Sequence, residues 1–246
     1  MNKSTSSADF IHDGYCPICE AAASFHSKEI WFRDHLLCSG CGSIPRERAL
    51  FKIISDYFPN FRSLDIHESS PGGRGASIKL NSECKHYSAS HFYETITPGQ
   101  TNHESGYRCE NIERLTFDDN SFDIFITQDV MEHIFDPEQA FKEIARVLKP
   151  GGAHVFTVPL VNKSQKSEVF ASKSKNDEII FHHPPEYHGN PIDDKGSLVT
   201  RHWGYDIAAF ITEKAKTPTV IFTIDNIDLG IRAEYIDVIV SWKMNV

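Results

Sequence analysis

The chain has 246 residues, with 34 acidic and 25 basic side chains and a formal net charge of -9. Such a length suits one substantial core with a small appendage, and no apolar run approaches the roughly 20 residues that span a bilayer, so no membrane partner is expected. No stretch is rich in Lys and Arg without interleaved acids, which argues against a nucleic-acid partner.

Residues 1–12, beginning MNKSTSSADF, are polar and lack the apolar core of a secretory signal. They read as a disordered tail in a protein that stays in the cytoplasm. Residues 13–44 carry four of the six cysteines as CPIC (Cys16, Cys19) and CSGC (Cys38, Cys41), spaced C-x2-C-x18-C-x2-C. Two such knuckles present four thiolates to a tetrahedral Zn2+, and a site closed by four protein ligands is structural. The reading set against it, two surface turns with unrelated thiols, is disfavoured by a reducing compartment and by the pairing of the CxxC turns. Cys84 and Cys109 are unmatched and read as small buried side chains. The metal would staple a segment with too few large aliphatics to fold by burial alone.

Residues 45–246 form the expected main domain. PRERALFKIISDYF (45–58) has Pro45 at a helix start and Leu50, Ile53, Ile54 and Tyr57 at helical spacing, and should tie the cysteine segment to the rest of the domain. Strand-like and helical runs then alternate: RSLDIH (62–67) is a strand, GASIKLNSE (75–83) a helix, and KHYSAS (85–90), GYRCENI (106–112) and FDIFIT (122–127) are strands. DPEQAFKEIARVLKPGG takes Asp136 as cap and Pro137 in its first turn, places Ala140, Phe141, Ile144, Val147 and Leu148 on one face, and stops at Pro-Gly-Gly. GGAHVFTVP is a fifth strand, YDIAAFITEKA (205–215) a helix, and TVIFTID and AEYIDVIVSWK close the chain as an antiparallel pair. This alternation predicts an α/β fold, a parallel sheet with helices on both faces.

The run LTFDDNSFDIFITQDVMEHIFDPEQAFKEIARVLKPGGAHVFTVP, most specifically its SFD, EH, DP and RVLKPGG portions, resembles the centre of class I S-adenosylmethionine-dependent methyltransferases. Taken over Arg62 to the C-terminus, the resemblance implies a Rossmann-like seven-stranded sheet, mostly parallel, with S-adenosylmethionine across the C-terminal ends of its first strands. Open α/β sheets place ligands there. It implies cofactor contacts from Asp65, from His67, Glu68 and Ser69 in the first loop, from His91 at the ribose, from Asn111 and Ile112 at the adenine, and from Gln128 near the sulfonium. Two departures from the family pattern are present. His67 and Ser69 occupy the places of the first glycines, with Gly72, Gly73 and Gly75 coming later, and Ser90 and His91 stand where an acid often meets the ribose.

QDVMEHIFDP (128–137) leaves the central strand and turns acidic. Asp129, Glu132 and His133 share one face if the segment makes a helical turn. Three readings stay open. Glu132 and His133 cap and pack the loop; or His133 is a general base; or the trio resembles the metal motif of ubiquinone-pathway O-methyltransferases and small-RNA end-methylating enzymes, with Mg2+ orienting and acidifying acceptor hydroxyls. Residues 160–204 are long for a connection and dense in His, Pro and Gly, and read as a lid over the acceptor site. His183, Tyr187, His188 and Trp203 are its expected acceptor-facing residues. The expected activity is O-methylation of a small-molecule or glycan-like hydroxyl. Two alternatives remain: a non-catalytic binding protein on the same fold, motivated by the altered first loop, and an RNA methyltransferase that grips RNA through the cysteine segment, against which the acidity argues.

Overall fold

The computed structural model describes residues 9–190 and 195–245. The cysteine-bearing segment folds as β1 (Phe10–Cys16), β2 (Ala21–Ser27), a short helix α1 (Phe32–His35) and β3 (Leu37–Cys38), with the strands in one antiparallel sheet. The tail expected over residues 1–12 thus gives way to strand at Phe10, and its residues 1–8 lie outside the described ones. Helix α2 (Pro45–Tyr57) starts at its proline, and the Glu47 carboxylate accepts from Ile44 N at 3.1 Å, closing the first turn.

Five parallel strands come next: β4 (Asp65–Ser69), β5 (His86–His91), β6 (Arg108–Cys109), β7 (Phe122–Gln128) and β8 (Leu148–Thr157). Helix α3 (Gly75–Glu83) joins β4 to β5, and α4 (Pro137–Val147) joins β7 to β8, with Asp136 capping Gln139 N at 3.0 Å. GYRCENI is strand only at Arg108–Cys109. Beyond them the buried Glu110 carboxylate accepts from Thr116 N at 2.9 Å and pulls the chain off the sheet edge.

The 160–204 segment contains β9 (Glu168–Val169), β10 (Ala171–Lys173), β11 (Ile179–Phe181), β12 (Tyr187–His188), β13 (Ser197–Leu198) and β14 (Arg201–His202), paired as three small ribbons. Helix α5 (Ile207–Ala215), β15 (Thr219–Phe222) and β16 (Val238–Trp242) complete the chain. β16 runs antiparallel to both β8 and β15, giving a seven-stranded sheet in the order β15-β16-β8-β7-β4-β5-β6.

The two-residue period of the strands divides the core. Ile66, Ile124, Ile126, Val155, Val238 and Val240 face Leu50, Phe51 and Ile54 of α2 and Ala76 and Leu80 of α3. Phe125, Phe156 and Ile239 face Phe141, Ile144 and Val147 of α4 and Ile207 and Ile211 of α5. Cys16, Phe25, Leu36 and Cys38 belong to the first of these cores, so the cysteine segment shares its packing with the sheet. No helix among the described residues is long and apolar enough to cross a membrane.

Candidate functional site

Chain order and sheet order part company between β4 and β7: from β4 the chain steps outward through β5 to β6, then returns to β7 on the other side. The C-terminal tips of β4 and β7 therefore bound the crevice in which open α/β sheets take ligands. Asp129, just past β7, has φ 53°, a left-handed conformation that a right-handed helical turn does not admit. The chain turns tightly instead, with His133 N bonded to Val130 O at 3.0 Å. The expected trio is corrected accordingly. Asp129 accepts from Arg33 Nη2 at 2.6 Å and Thr157 Oγ1 at 3.1 Å, with Arg46 Nε 3.1 Å away. Burial alone would push its carboxyl up, but the guanidiniums of Arg46 and Arg33 hold it down at about 2.

Glu132 is 2% exposed, and among the described residues neither of its carboxylate oxygens has a hydrogen-bond partner. A buried carboxylate left this way is costly. Two imidazoles face its Oε1, with His133 Nε2 at 3.7 Å and His188 Nδ1 at 3.8 Å. Each imidazole has its other nitrogen engaged: His133 Nδ1 donates to Leu198 O at 2.9 Å, and His188 Nε2 lies 3.2 Å from Glu186, which also takes His202 Nε2 at 3.0 Å. Protons on those outer nitrogens leave lone pairs on the two that face Glu132, the arrangement that orients metal-ligating histidines. The Glu132 carboxylate raises the pKa of His188, so a proton on its Nδ1 competes with a cation for that nitrogen. One ligand atom from each of Glu132, His133 and His188 lies within 4.8 Å of the others, and the three could hold one ion. Two imidazoles with a carboxylate suit Mn2+, Fe2+, Co2+ or Zn2+ better than Mg2+, which prefers oxygen ligands.

His188 alone of the expected lid residues joins this cluster. His183 pairs with Glu168 at 3.0 Å and stacks on Phe170, and Tyr187 is exposed. Trp203 is corrected to the core, 1% exposed with its Nε1 donating to Met131 O at 3.2 Å.

Two of the expected cofactor residues are corrected outright. Asp65 begins β4, at the end of the sheet opposite the crevice, and pairs with Lys149. His67 points into the core among Phe117, Phe122 and Phe125, bonded to Ser88 and Ser90 hydroxyls at 2.9 Å. Glu68 is fully buried and braces the loop from beneath: it accepts from Ser77 Oγ and Gln128 Nε2 at 2.8 Å and from Tyr87 OH at 2.7 Å, while Ser77 Oγ accepts from Gly72 N at 3.1 Å. Burial raises its pKa. Gln128 is committed to the same network, and Ser69 is buried in the paired tip of β4. His91, Asn111 and Ile112 stay at the edge. Among the described residues the buried Nδ1 of His91 has no partner, and the Asn111 carbonyl takes Glu113 N at 2.9 Å, leaving its amide nitrogen unused. Ile112 packs with the second core.

The four cysteine sulfurs converge as their spacing predicts. Cys16 to Cys41 and Cys19 to Cys38 are 3.8 Å apart, too long for disulfides and matching the sulfur separation of about 3.8 Å that a tetrahedron with 2.3 Å Zn–S bonds requires. Backbone N–H groups of Cys19 and Gly40 point at Cys16 and Cys38 sulfurs at 3.4 Å. The four thiolates could hold Zn2+.

Arg33, Arg46 and Glu186 reach the site without a motif to announce them. Their only signal is local: an arginine beside each end of the second cysteine knuckle, and an acid two residues before a lid histidine.

Residues 83–156 match a family described as a methyltransferase domain. A ubiquinone biosynthesis O-methyltransferase of Coxiella burnetii (strain Dugway 5J108-111) is 32% identical over 91 residues, 32% of this chain and 38% of that protein. An uncharacterized methyltransferase of Schizosaccharomyces pombe is 30% identical over 135 residues, 54% of this chain and 42% of that protein. The chain thus spans less than half the length of these relatives. The crystal structure of an S-adenosylmethionine-dependent methyltransferase from Mesorhizobium loti matches with a TM-score of 0.50 at 14% identity, over 79% of this chain and 97% of that one.

Proposed function

We propose, from the premise that this chain has the class I S-adenosylmethionine-dependent methyltransferase fold, that it moves a methyl group from S-adenosylmethionine to a hydroxyl of a small, diol-bearing acceptor. The observation that carries the acceptor class is the buried, unpartnered Glu132 carboxylate facing two pre-oriented imidazoles.

Methyl transfer from a sulfonium is an in-line displacement that needs positioning more than covalent help. A hydroxyl acceptor also needs its proton drawn away. A divalent ion held by Glu132, His133 and His188 would acidify and orient that hydroxyl, and three protein ligands leave places for two neighbouring acceptor oxygens. The similarity to an enzyme named as an O-methyltransferase supports an oxygen acceptor. On the cofactor side, the orphaned His91 Nδ1 fits a ribose hydroxyl, the Asn111 amide fits the adenine edge, and the 70–74 loop braced by Glu68 takes the methionine half. The four thiolates hold a structural Zn2+ in segment 13–44, a reduced state that suits the cytoplasm, and segment 160–204 is the acceptor lid.

Calorimetry of the zinc-loaded chain with S-adenosylmethionine, combined with labelled-methyl transfer to catechols and sugar diols, tests the reading. Saturable binding is expected, with transfer that chelation suppresses and Mn2+ restores. Binding with no transfer to any hydroxyl would favour a non-catalytic binding protein, the reading to which the missing first-loop glycines point. No binding at all would overturn the cofactor assignment.

A further inference from the structure

We infer that Glu186 is a positioning residue for the ion site: it presents the Nδ1 lone pair of His188 toward Glu132 and supplies, through that ring, a second negative charge for a divalent ion. The inference rests on the ion site proposed above. Of the three ligands, Glu132 and His133 leave β7 together in one loop, whereas His188 comes from β12 in the 160–204 segment. Its ring has to be aimed separately, since an imidazole free to rotate offers either nitrogen.

Glu186 does this by chemistry as well as by place. A carboxylate only accepts hydrogen bonds, so both imidazole nitrogens that face it, His188 Nε2 at 3.2 Å and His202 Nε2 at 3.0 Å, carry N–H. In neutral His188 the lone pair is then on Nδ1, the nitrogen that lies 3.8 Å from Glu132 Oε1. Glu186 is itself held. Its backbone carbonyl accepts from Val199 N at 2.9 Å, and the His202 ring that donates to its second oxygen stacks on Phe170 at 3.7 Å.

The contrast with His133 separates positioning from packing. His133 Nδ1 meets a backbone carbonyl, Leu198 O at 2.9 Å, which fixes a tautomer and adds no charge. His188 meets a carboxylate whose side chain is 43% open to water, so solvent could satisfy it without either histidine. A carboxylate behind a ligating imidazole holds the plane of the ring and raises its basicity, and losing one lowers metal affinity about 10- to 100-fold. With Glu132 it also sets two negative charges against one divalent ion, which lowers the cost of holding that ion in a half-buried place.

The test is calorimetric titration of the full chain with Mn2+ at about pH 8, above the range in which a free imidazole takes a proton. Glu186→Ala should weaken Mn2+ binding at least about tenfold. Glu186→Gln, which keeps an acceptor oxygen without the charge, should fall between that variant and the wild type. His202→Ala breaks the same link between the β12–β13 and β9–β14 ribbons but leaves the bond to His188, so it should lose far less. Equal losses in Glu186→Ala and His202→Ala would reduce Glu186 to a brace between ribbons and overturn the inference, as would wild-type affinity in Glu186→Ala. Should Glu186→Ala fail to fold, Glu186→Gln decides, and wild-type affinity there overturns the role. Mn2+ binding that is absent, or indifferent to Glu132→Gln, would remove the ion site itself, whereas binding that needs Glu132 and ignores Glu186 overturns this inference alone.

Discussion

A carboxylate with both oxygens buried and unmet costs a fold free energy that a bound cation would offset. Glu132 is in that position. Glu132→Gln should therefore leave the melting temperature of the metal-free chain unchanged or higher, because a buried charge is removed. Mn2+ should raise the melting temperature of the wild type and not of the variant, and turnover should fall at least about tenfold, roughly 1.4 kcal/mol of transition-state stabilisation. A variant that still responds to Mn2+ would place the ion elsewhere. His67 gives a pH signature. Burial, with Arg108 adding to it, holds its pKa near 3, whereas the unfolded side chain titrates at about 6.5. Between these values the unfolded chain binds the extra proton, so stability is full above about pH 6.5 and falls as pH drops toward 3. Urea unfolding at pH 7 and pH 5.5 should show a loss of about 1.3 kcal/mol from this group, absent in His67→Gln; an identical slope in both would mean His67 is solvated. At this scale the sequence shows the EH pair and His188 by residue type alone. It hides Asp129, whose place depends on one backbone torsion, and it misplaces Asp65 because a 3-10 turn at Phe61–Ser63 delays the strand.

The joint between α1, α2 and the tip of β7 is the element whose loss should be felt most. Arg33 and Arg46 close on one carboxylate, and breaking a buried pair by deleting one partner costs about 3 to 5 kcal/mol because charge is left unpaired. Asp129→Ala should lose about 3 kcal/mol in denaturant unfolding, and a loss under about 1 kcal/mol, typical of an exposed pair, would show the joint to be slack. The helices α2, α3 and α4 are legible from caps, prolines and periodicity, as is the buried strand FDIFIT. The ribbons between Glu168 and His202 are not, because strands of two or three residues are too short to show a period and owe their form to partners far along the chain. What the sequence does show there is a surplus of histidine, and one of those histidines reaches Glu132.

At the level of the whole molecule the cysteine segment is less separate than its motif suggests, since Phe25 and Leu36 share a core with Ile66, Ile231 and Val238. If the four thiolates hold the proposed Zn2+, removing it should therefore lower a single cooperative transition, seen alike by fluorescence and far-UV dichroism. Two separated transitions would restore the picture of an independent module.

That shared core also sets an order in time. Gly230, with φ 65°, lies where a Cβ would press on the Phe25 ring and the Arg48 guanidinium, and its carbonyl takes two bonds from Arg48, a partner 182 residues earlier. As the chain emerges from the ribosome the thiolates come first, but the surface that seats them comes nearly last. A metal taken by these four thiolates would then be captured by a half-built cradle and sealed only when the C-terminal strands dock. Gly230→Ala, which touches no sulfur, should accordingly speed zinc loss to a chelator from the folded protein.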